Sequence, residues 1–211
     1  MKQLAHDIGF VYSELHDHFG LLPEEEVRYI HNLVLYGNFT LSPLTLSKYE
    51  IESDTSGLVF HKYKCDDGGG TNVPMFVKPT LKDSLVLTAL GRMLNHHFLK
   101  NNFSPENCFG LRMRRALFSS TLCSVGAVKR LSKLDLKKSL NRINRESLML
   151  NLSHIVKDVA ILELVGSFLS SPIINENGRQ LNLTVEGELA EGRGIPPAGL
   201  LTNVLLHFFL T

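Results

Sequence analysis

Hydrophobic positions recur at helical spacing over the first forty residues, with acids between them. A first helix is predicted over residues 3–19, and its apolar face consists of Leu4, Ile8, Val11, Tyr12 and Leu15. Pro23 is typical of the start of a second helix, which is predicted to end near Gly37. Acids fill residues 24–26, the first turn of that helix, where the helix dipole favours negative charge.

The pattern then changes to short extended runs between residues 44 and 77, written LTLSKYEI, LVFHKYK and PMFVK. The run DDGGG at 66–70 separates two of them, as the connection of a β-hairpin does. The sequence Thr80-Leu81-Lys82-Asp83 has the form of a capping box. It predicts a long helix that continues to about Lys100.

The third quarter of the chain alternates between helical and extended patterns. A helix is predicted over 114–128, followed by a strand at 130–136 with the sequence RLSKLDL. Helical periodicity returns over 145–169 and is predicted to break near Lys157.

The last forty residues begin with a hairpin signal. Asn-Glu-Asn-Gly at 175–178 lies between the short apolar runs 172–174 and 181–185. Gly-Ile-Pro-Pro-Ala-Gly at 194–199 precedes an apolar helix that is predicted to reach Thr211. The elements together predict an α+β fold without internal repeats.

Length and composition fit one domain with an N-terminal extension: 211 residues, of which 44% are hydrophobic. We divide the chain into an acidic helical segment, 1–40, and a main unit, 41–211.

Cys65, Cys108 and Cys123 lack metal-ligand spacing and are predicted to be reduced and mostly buried. The histidines have no acids or cysteines at ligand spacing, which disfavours a zinc site. No apolar run is long enough for a membrane span, and the acidic start is unlike a targeting peptide.

The net charge of +1 conceals a marked separation of charge. Residues 82–145 contain thirteen Lys/Arg and three Asp/Glu, a net charge of +10. Residues 1–57 have a net charge of −6, and residues 146–211 have −4. A polyanion is the expected partner of the basic segment, because each neutralised phosphate releases condensed counterions. A solvated basic helix face is the alternative.

Two constellations in this basic segment suggest phosphate chemistry. Asp135 ends the predicted strand 130–136, where a carboxylate can coordinate a divalent metal. Two-metal chemistry needs two or three converging acids, and the sequence after Asp135 contains no Asp-Asp pair. On spacing alone, a solvated Asp at the end of a strand is therefore the better interpretation of Asp135. The cluster CFGLRMRR at 108–115 presents three arginines, which suit bidentate phosphate binding. A surface turn that forms salt bridges with the acidic ends is its alternative. The loop 66–70 lacks the Gly-Lys-Ser/Thr ending of a P-loop.

Four segments, taken in order, resemble the fingers and early palm of the group II intron reverse transcriptases, the maturase family. PTLKDSLVLTAL (79–90) resembles the family's Pro-Thr turn and helix, and FSPENCFGLRMRR (103–115) its stretch ending in Gly-Phe-Arg-Pro-Gly-Arg. KLDLKKSLNRINRESLM (133–149) is similar to the palm motif that carries the first catalytic Asp. GIPPAGLLTNVLLHFFL (194–210) is similar to the Gly-Ile-Pro-Gln-Gly motif and its helix. The resemblance covers about residues 40–211.

The chain departs from the family's pattern at the positions that handle nucleotides. Pro197-Ala198 replaces the Gln-Gly that lies next to the nascent base pair. The Arg that holds the incoming triphosphate falls at Pro74, and the aromatic gate for the sugar becomes Leu140. The resemblance therefore implies a site without its usual contacts to nucleotides.

The catalytic acids are also incomplete. The family's second pair of aspartates lies on a hairpin beyond the last helix, whereas this sequence ends at Thr211. Of the residues that form the polymerase centre in this family, the resemblance identifies only a vestigial Asp135 and Lys64 in this sequence. One acid cannot hold two metals, so we expect no catalysis and no cofactor. Magnesium is expected only if a separate chain completes the site in trans.

The sequence thus predicts a non-catalytic protein with reverse-transcriptase-like fingers and a truncated palm, which binds structured RNA in an intron-splicing particle or an organellar ribosome. The alternative is the N-terminal half of a split RNA-directed DNA polymerase, and a third hypothesis is a general protein-interaction module. A protein partner is expected at the open edge of the palm sheet, and no membrane is expected as a partner. The expected location is a mitochondrion, with a plastid as the alternative. The residues expected to contact RNA are Lys100, Arg112, Arg114, Arg115, Lys129, Arg130, Lys133, Lys137, Lys138, Arg142 and Arg145.

Overall fold

The computed structural model describes residues 1–48, 75–100, 143–175, 177–178, 180 and 192–210. Over these residues the protein is α+β, as the patterning predicts, and it is mostly helical with a small mixed sheet. The predicted DDGGG connection, the helix at 114–128, the strand at 130–136 and the run 181–185 lie outside the described residues.

The described helices are α1 (Lys2–Glu14), α2 (His16–Phe19), α3 (Glu24–Leu35), α4 (Leu81–Lys100), α5 (Arg145–Ile155), α6 (Val159–Ser170) and α7 (Leu200–Leu210). The described strands are β1 (Leu44–Lys48), β2 (Met75–Lys78) and β3 (Ile173–Ile174). Each falls, to within one residue at its ends, in a segment for which the sequence predicts the same type of element.

The N-terminal helices follow the prediction except at one residue. Leu4, Ile8 and Val11 are completely buried, as the apolar spacing indicates. The predicted helix over 3–19 is wrong at Leu15, where φ −111° and ψ 36° lie outside the helical region, and two helices result. The hydroxyl of Tyr12 donates to the carbonyl oxygen of Leu22 (2.9 Å) and bridges the chain beyond this break.

The predicted cap at the start of α4 is confirmed for its Thr80 half, whereas the Asp83 carboxylate accepts from the Thr80 hydroxyl and not from the Thr80 backbone N–H. The Thr80 hydroxyl oxygen accepts from the Asp83 backbone N–H (3.2 Å) and donates to the Asp83 carboxylate (2.6 Å). The same carboxylate accepts from the backbone N–H of Ser42 (3.2 Å). Asp83 is only 2% exposed, so these partners compensate for the loss of its hydration. The box therefore fixes the start of α4 and also the chain that enters β1.

We expect Thr80→Ala to lower the free energy of unfolding by about 1 kcal/mol, because it removes an N-cap acceptor and a partner of a buried carboxylate. Urea unfolding followed by circular dichroism measures the change. Thr80→Ser keeps the hydroxyl and is expected to restore most of the stability. Thr40→Ala, at an exposed position outside the box, serves as the control. Equal losses for Thr80→Ala and Thr40→Ala would contradict a capping role.

The sheet has the strand order β2-β1-β3. Strand β1 pairs antiparallel with β2, with Leu46 opposite Val77, and parallel with β3, with Leu44 opposite Ile173. A parallel pair needs a long crossover, and α4, α5 and α6 all lie between these two strands in the sequence.

The turn predicted at 175–178 is also present. The N–H of Gly178 donates to the carbonyl oxygen of Asn175 (2.9 Å), and Ile174 forms an antiparallel bridge with Gln180. The φ of Gly178 is +75°, a backbone conformation that favours glycine.

Helix α4 packs against both α1 and α7. The N-terminal helices share one hydrophobic core with the rest of the described chain, and the predicted boundary at residue 40 falls between α3 and β1. Phe98 of α4 and Phe208 of α7 stack with ring centroids 4.7 Å apart. Gly91 permits the close approach of α7, because a Cβ there would lie 3.0 Å from Leu200 Cγ and 3.1 Å from the Leu201 nitrogen.

Helices α5 and α6 are separated at 156–158, which confirms the predicted break near Lys157. Asp158 caps α6, because one of its oxygens accepts from the backbone N–H groups of Ala160 (3.1 Å) and Ile161 (3.4 Å). The junction therefore turns at a defined residue, and it presents Lys157 and Asp158 next to α1 and α4.

Candidate nucleic-acid interface

Two of the residues predicted to contact RNA, Lys100 and Arg145, lie in the described part of the chain. Lys100 is the exposed last residue of α4, and Arg145 is the half-buried first residue of α5. Asp135, Lys64, Pro74 and Leu140 lie outside the described residues, as do Arg112, Arg114, Arg115, Lys129, Arg130, Lys133, Lys137, Lys138 and Arg142.

Arg145 has a structural contact that the sequence does not indicate directly. Its Nε donates to the carbonyl oxygen of Gly194 (2.7 Å), and its backbone N–H donates to that of Gly192 (3.0 Å). Burial lowers the pKa of the Arg145 guanidinium from its ordinary value. A cation is disfavoured by the dipole at a helix N-terminus, and this mismatch is the sequence signal for a compensating partner. Whether Arg145 also contacts RNA stays a prediction.

The loop 194–199 is closed by its own hydrogen bonds. The N–H of Ala198 donates to the hydroxyl of Thr202 (2.9 Å), and this hydroxyl donates to the carbonyl oxygen of Pro196 (2.5 Å). Thr202 is 3% exposed, so the arrangement lies inside the protein. Pro196 and Pro197 have no N–H. The stretch 196–198 therefore has no unpaired backbone donor for a ligand.

The acidic N-terminal segment neutralises two bases of α4. Lys82 forms an ion pair with Glu26 of α3, and Arg92 forms one with Glu14 of α1. The hydrogen bond that the Lys82 ammonium donates to Glu26 is the largest cause of the raised pKa of Lys82. The opposite net charges of residues 1–57 and 82–145 thus correspond, in part, to contacts within the fold.

A cleft of about 680 Å³ lies between α1, the C-terminal half of α4 and the junction of α5 and α6. We call it the α1–α4 cleft. Its apolar wall includes Phe10, Met93, Val156 and Ile161. Its polar lining includes Asp7, Arg92, His96, His97, Lys100, Lys157 and Asp158. Arg92, His96 and Lys100 recur every four residues along α4, a spacing that places them on one face of the helix.

The charges around this cleft are unequally paired. Arg92 is paired with Glu14, and Asp158 with the Met1 ammonium. The hydrogen bond from that ammonium is the largest cause of the lowered pKa of Asp158. Lys157 Nζ donates to the backbone oxygen of Ser153 (3.3 Å). Over the ranges that the structure describes, no carboxylate lies within ion-pair distance of Lys157 or Lys100. The cleft thus combines two exposed lysines with an apolar wall.

Within the described ranges, no group of three or more His, Cys, Asp or Glu side chains could hold a metal ion. Of the helices that the structure describes, none combines the length and the apolarity that crossing a bilayer requires. No family model and no curated protein matches the chain.

Proposed function

We propose that this chain is a non-catalytic RNA-binding protein derived from a group II intron maturase, with a fold of the reverse-transcriptase type. It binds structured RNA within a mitochondrial ribonucleoprotein, either an intron-splicing particle or a ribosome. The observation that carries the proposal is the net charge of +10 over residues 82–145 between two acidic flanks. A segment of this charge binds phosphates through the release of their counterions.

The ion pairs of α4 indicate which bases remain for RNA. Lys82 and Arg92 are neutralised within the protein by Glu26 and Glu14. Residues 101–142 contain nine Lys/Arg and only two Asp/Glu, and Lys100 is exposed directly before them. The acids of the N-terminal segment therefore compensate the start of the basic segment, and the proposed RNA surface begins at the C-terminal end of α4.

The loop 194–199 supports the absence of catalysis. In the family that the sequence resembles, Gln-Gly at this point lies next to the nascent base pair, and here Pro197 and Ala198 replace it. The only N–H in the stretch 196–198 belongs to Ala198 and is held by Thr202. The chain thus presents neither the side chain nor the unpaired backbone donors with which this stretch could hold a base pair.

Primer extension tests this proposal. We expect the purified full chain to bind a structured RNA but to add no nucleotides to a DNA primer annealed to polyadenylate, with either Mg²⁺ or Mn²⁺. Asp135→Asn is the matched control. If this variant extends the primer as well as the wild type does, the activity comes from a contaminating polymerase. Extension that Asp135→Asn abolishes would overturn the non-catalytic assignment. Extension that appears only with a co-purifying chain would support the split polymerase instead.

A further inference from the structure

We infer that the α1–α4 cleft binds one unpaired nucleotide of the RNA, with the base on Phe10 and the phosphates on Lys100 and Lys157. The inference rests on the proposed function and identifies a site for it outside residues 101–142. The cleft volume of about 680 Å³ lies within the range of about 300–1,000 Å³ that is usual for small-molecule sites.

Phe10 supplies the surface for the base. It is 59% exposed, although it is a large aromatic residue of a helix whose other face is buried. Its ring lines a cleft whose apolar wall continues through Met93, Val156 and Ile161. An aromatic side chain next to lysines is the combination that binds single-stranded nucleic acid, because every base has a face that can stack.

The charges of the cleft suit a phosphate. Lys100 ends α4 and Lys157 lies at the junction of α5 and α6, so the two ammonium groups come from different elements. Neither forms an ion pair with a carboxylate of the described chain, whereas the neighbouring Asp158 is neutralised by the Met1 ammonium. A phosphate can therefore bind both lysines without displacing a carboxylate from either of them.

Asp7 indicates how a base could be oriented. It precedes Phe10 by three residues on α1, a spacing at which side chains are neighbours on the helix surface. One of its oxygens accepts from Gln3 Nε2 (2.8 Å). A carboxylate has further acceptor positions, and an exocyclic amino group of a base can donate to one of them. Adenine combines such an amino group with a large stacking surface, so oligoadenylate is the suitable probe.

The shape of the cleft favours an unpaired nucleotide over a duplex. It is a half-open cleft with three walls, formed by α1, α4 and the α5–α6 junction. A base inside a duplex is stacked on both faces and cannot reach Phe10, whereas the bases of loops and bulges can turn outward and stack on aromatic side chains. The cleft therefore recognises a loop or a bulge, while the basic side chains of residues 101–142 contact phosphates around it.

Fluorescence anisotropy of a labelled single-stranded decaadenylate, titrated with the full chain over a series of salt concentrations, tests this site. We expect Phe10→Ala to weaken binding about 5- to 100-fold, the effect of losing one stacked base. Phe10→Tyr keeps the stacking surface and is expected to bind like the wild type. Lys100→Gln and Lys157→Gln should each decrease the slope of log K against log salt by about 0.7.

Two substitutions outside the cleft serve as matched controls. Tyr36→Ala removes another exposed aromatic side chain, and Lys2→Gln removes another exposed base. If the cleft variants bind decaadenylate like the wild type, or if the controls lose as much affinity, the inference is wrong. Binding of a structured RNA, measured on the same preparations, distinguishes a failure of the cleft inference from a failure of the proposed function. Normal binding of that RNA with no effect of Phe10→Ala overturns the cleft alone, and no RNA binding at about 50 mM salt overturns the proposed function as well.

Discussion

Replacing Arg112, Arg114 and Arg115 together by Ala is expected to weaken the binding of structured RNA and to decrease the slope of its salt dependence by about 2 to 3. Each Arg that neutralises a phosphate contributes nearly one unit to this slope, because the counterions that it displaces enter the equilibrium. The three residues lie in one short cluster of the sequence, after a glycine. Arg is suited to this contact, since its guanidinium binds a phosphate through two parallel hydrogen bonds.

A nitrocellulose filter-binding assay over a salt series measures both the affinity and the slope for this triple variant. The matched control replaces Lys2, Arg28 and Lys78 by Ala, which removes the same charge from exposed positions outside the segment 101–142. Its slope is expected to stay close to that of the wild type. An unchanged slope in the arginine variant, or an equal decrease in the control, would show that the arginine cluster does not contact the RNA phosphates.

Gly91→Val is expected to lower the free energy of unfolding by about 2–3 kcal/mol, the largest loss of stability that we predict for one substitution. A Cβ at this position would lie 3.0 Å from Leu200 Cγ, 3.1 Å from the Leu201 nitrogen and 3.3 Å from the Leu201 Cα. Two of these atoms belong to the backbone of α7, so they cannot move aside as the end of a side chain can. The helix must shift, and with it the packing of Phe98 on Phe208.

Gly9→Val is the control for this effect, because a Cβ at Gly9 of α1 meets no atom within 4 Å. Valine has a higher helix propensity than glycine, so this variant is expected to be neutral or slightly more stable. Urea unfolding of both variants measures the difference. Equal stability of Gly91→Val and Gly9→Val would contradict the close contact between α4 and α7.

The sequence predicts those elements whose signals are local. The capping box at Thr80 and Asp83 identifies the start of α4, because its hydrogen bonds join residues three apart. The break near Lys157 and the turn before Gly178 are likewise local, and the structure confirms both. The end of α1 at Leu15 is not predicted, since neither glycine nor proline interrupts the apolar pattern there.

Contacts between distant residues are what the sequence does not predict. The parallel pair formed by β1 and β3 joins residues far apart in the chain, and no periodicity encodes that register. Arg145 and Gly194 meet across 49 positions. The α1–α4 cleft brings together three separate parts of the chain, so Phe10 and Lys157 cannot be recognised as neighbours from their positions in the sequence.

The salt dependence of RNA binding by the full chain tests the central claim most directly. We expect a folded RNA with unpaired loops to bind at about 50 mM potassium chloride. Log K should then fall linearly with log salt, with a slope of about −4 or steeper, as several phosphate contacts require. No binding at low salt, or a slope near zero, would contradict the claim that the basic middle of this chain is a surface for RNA.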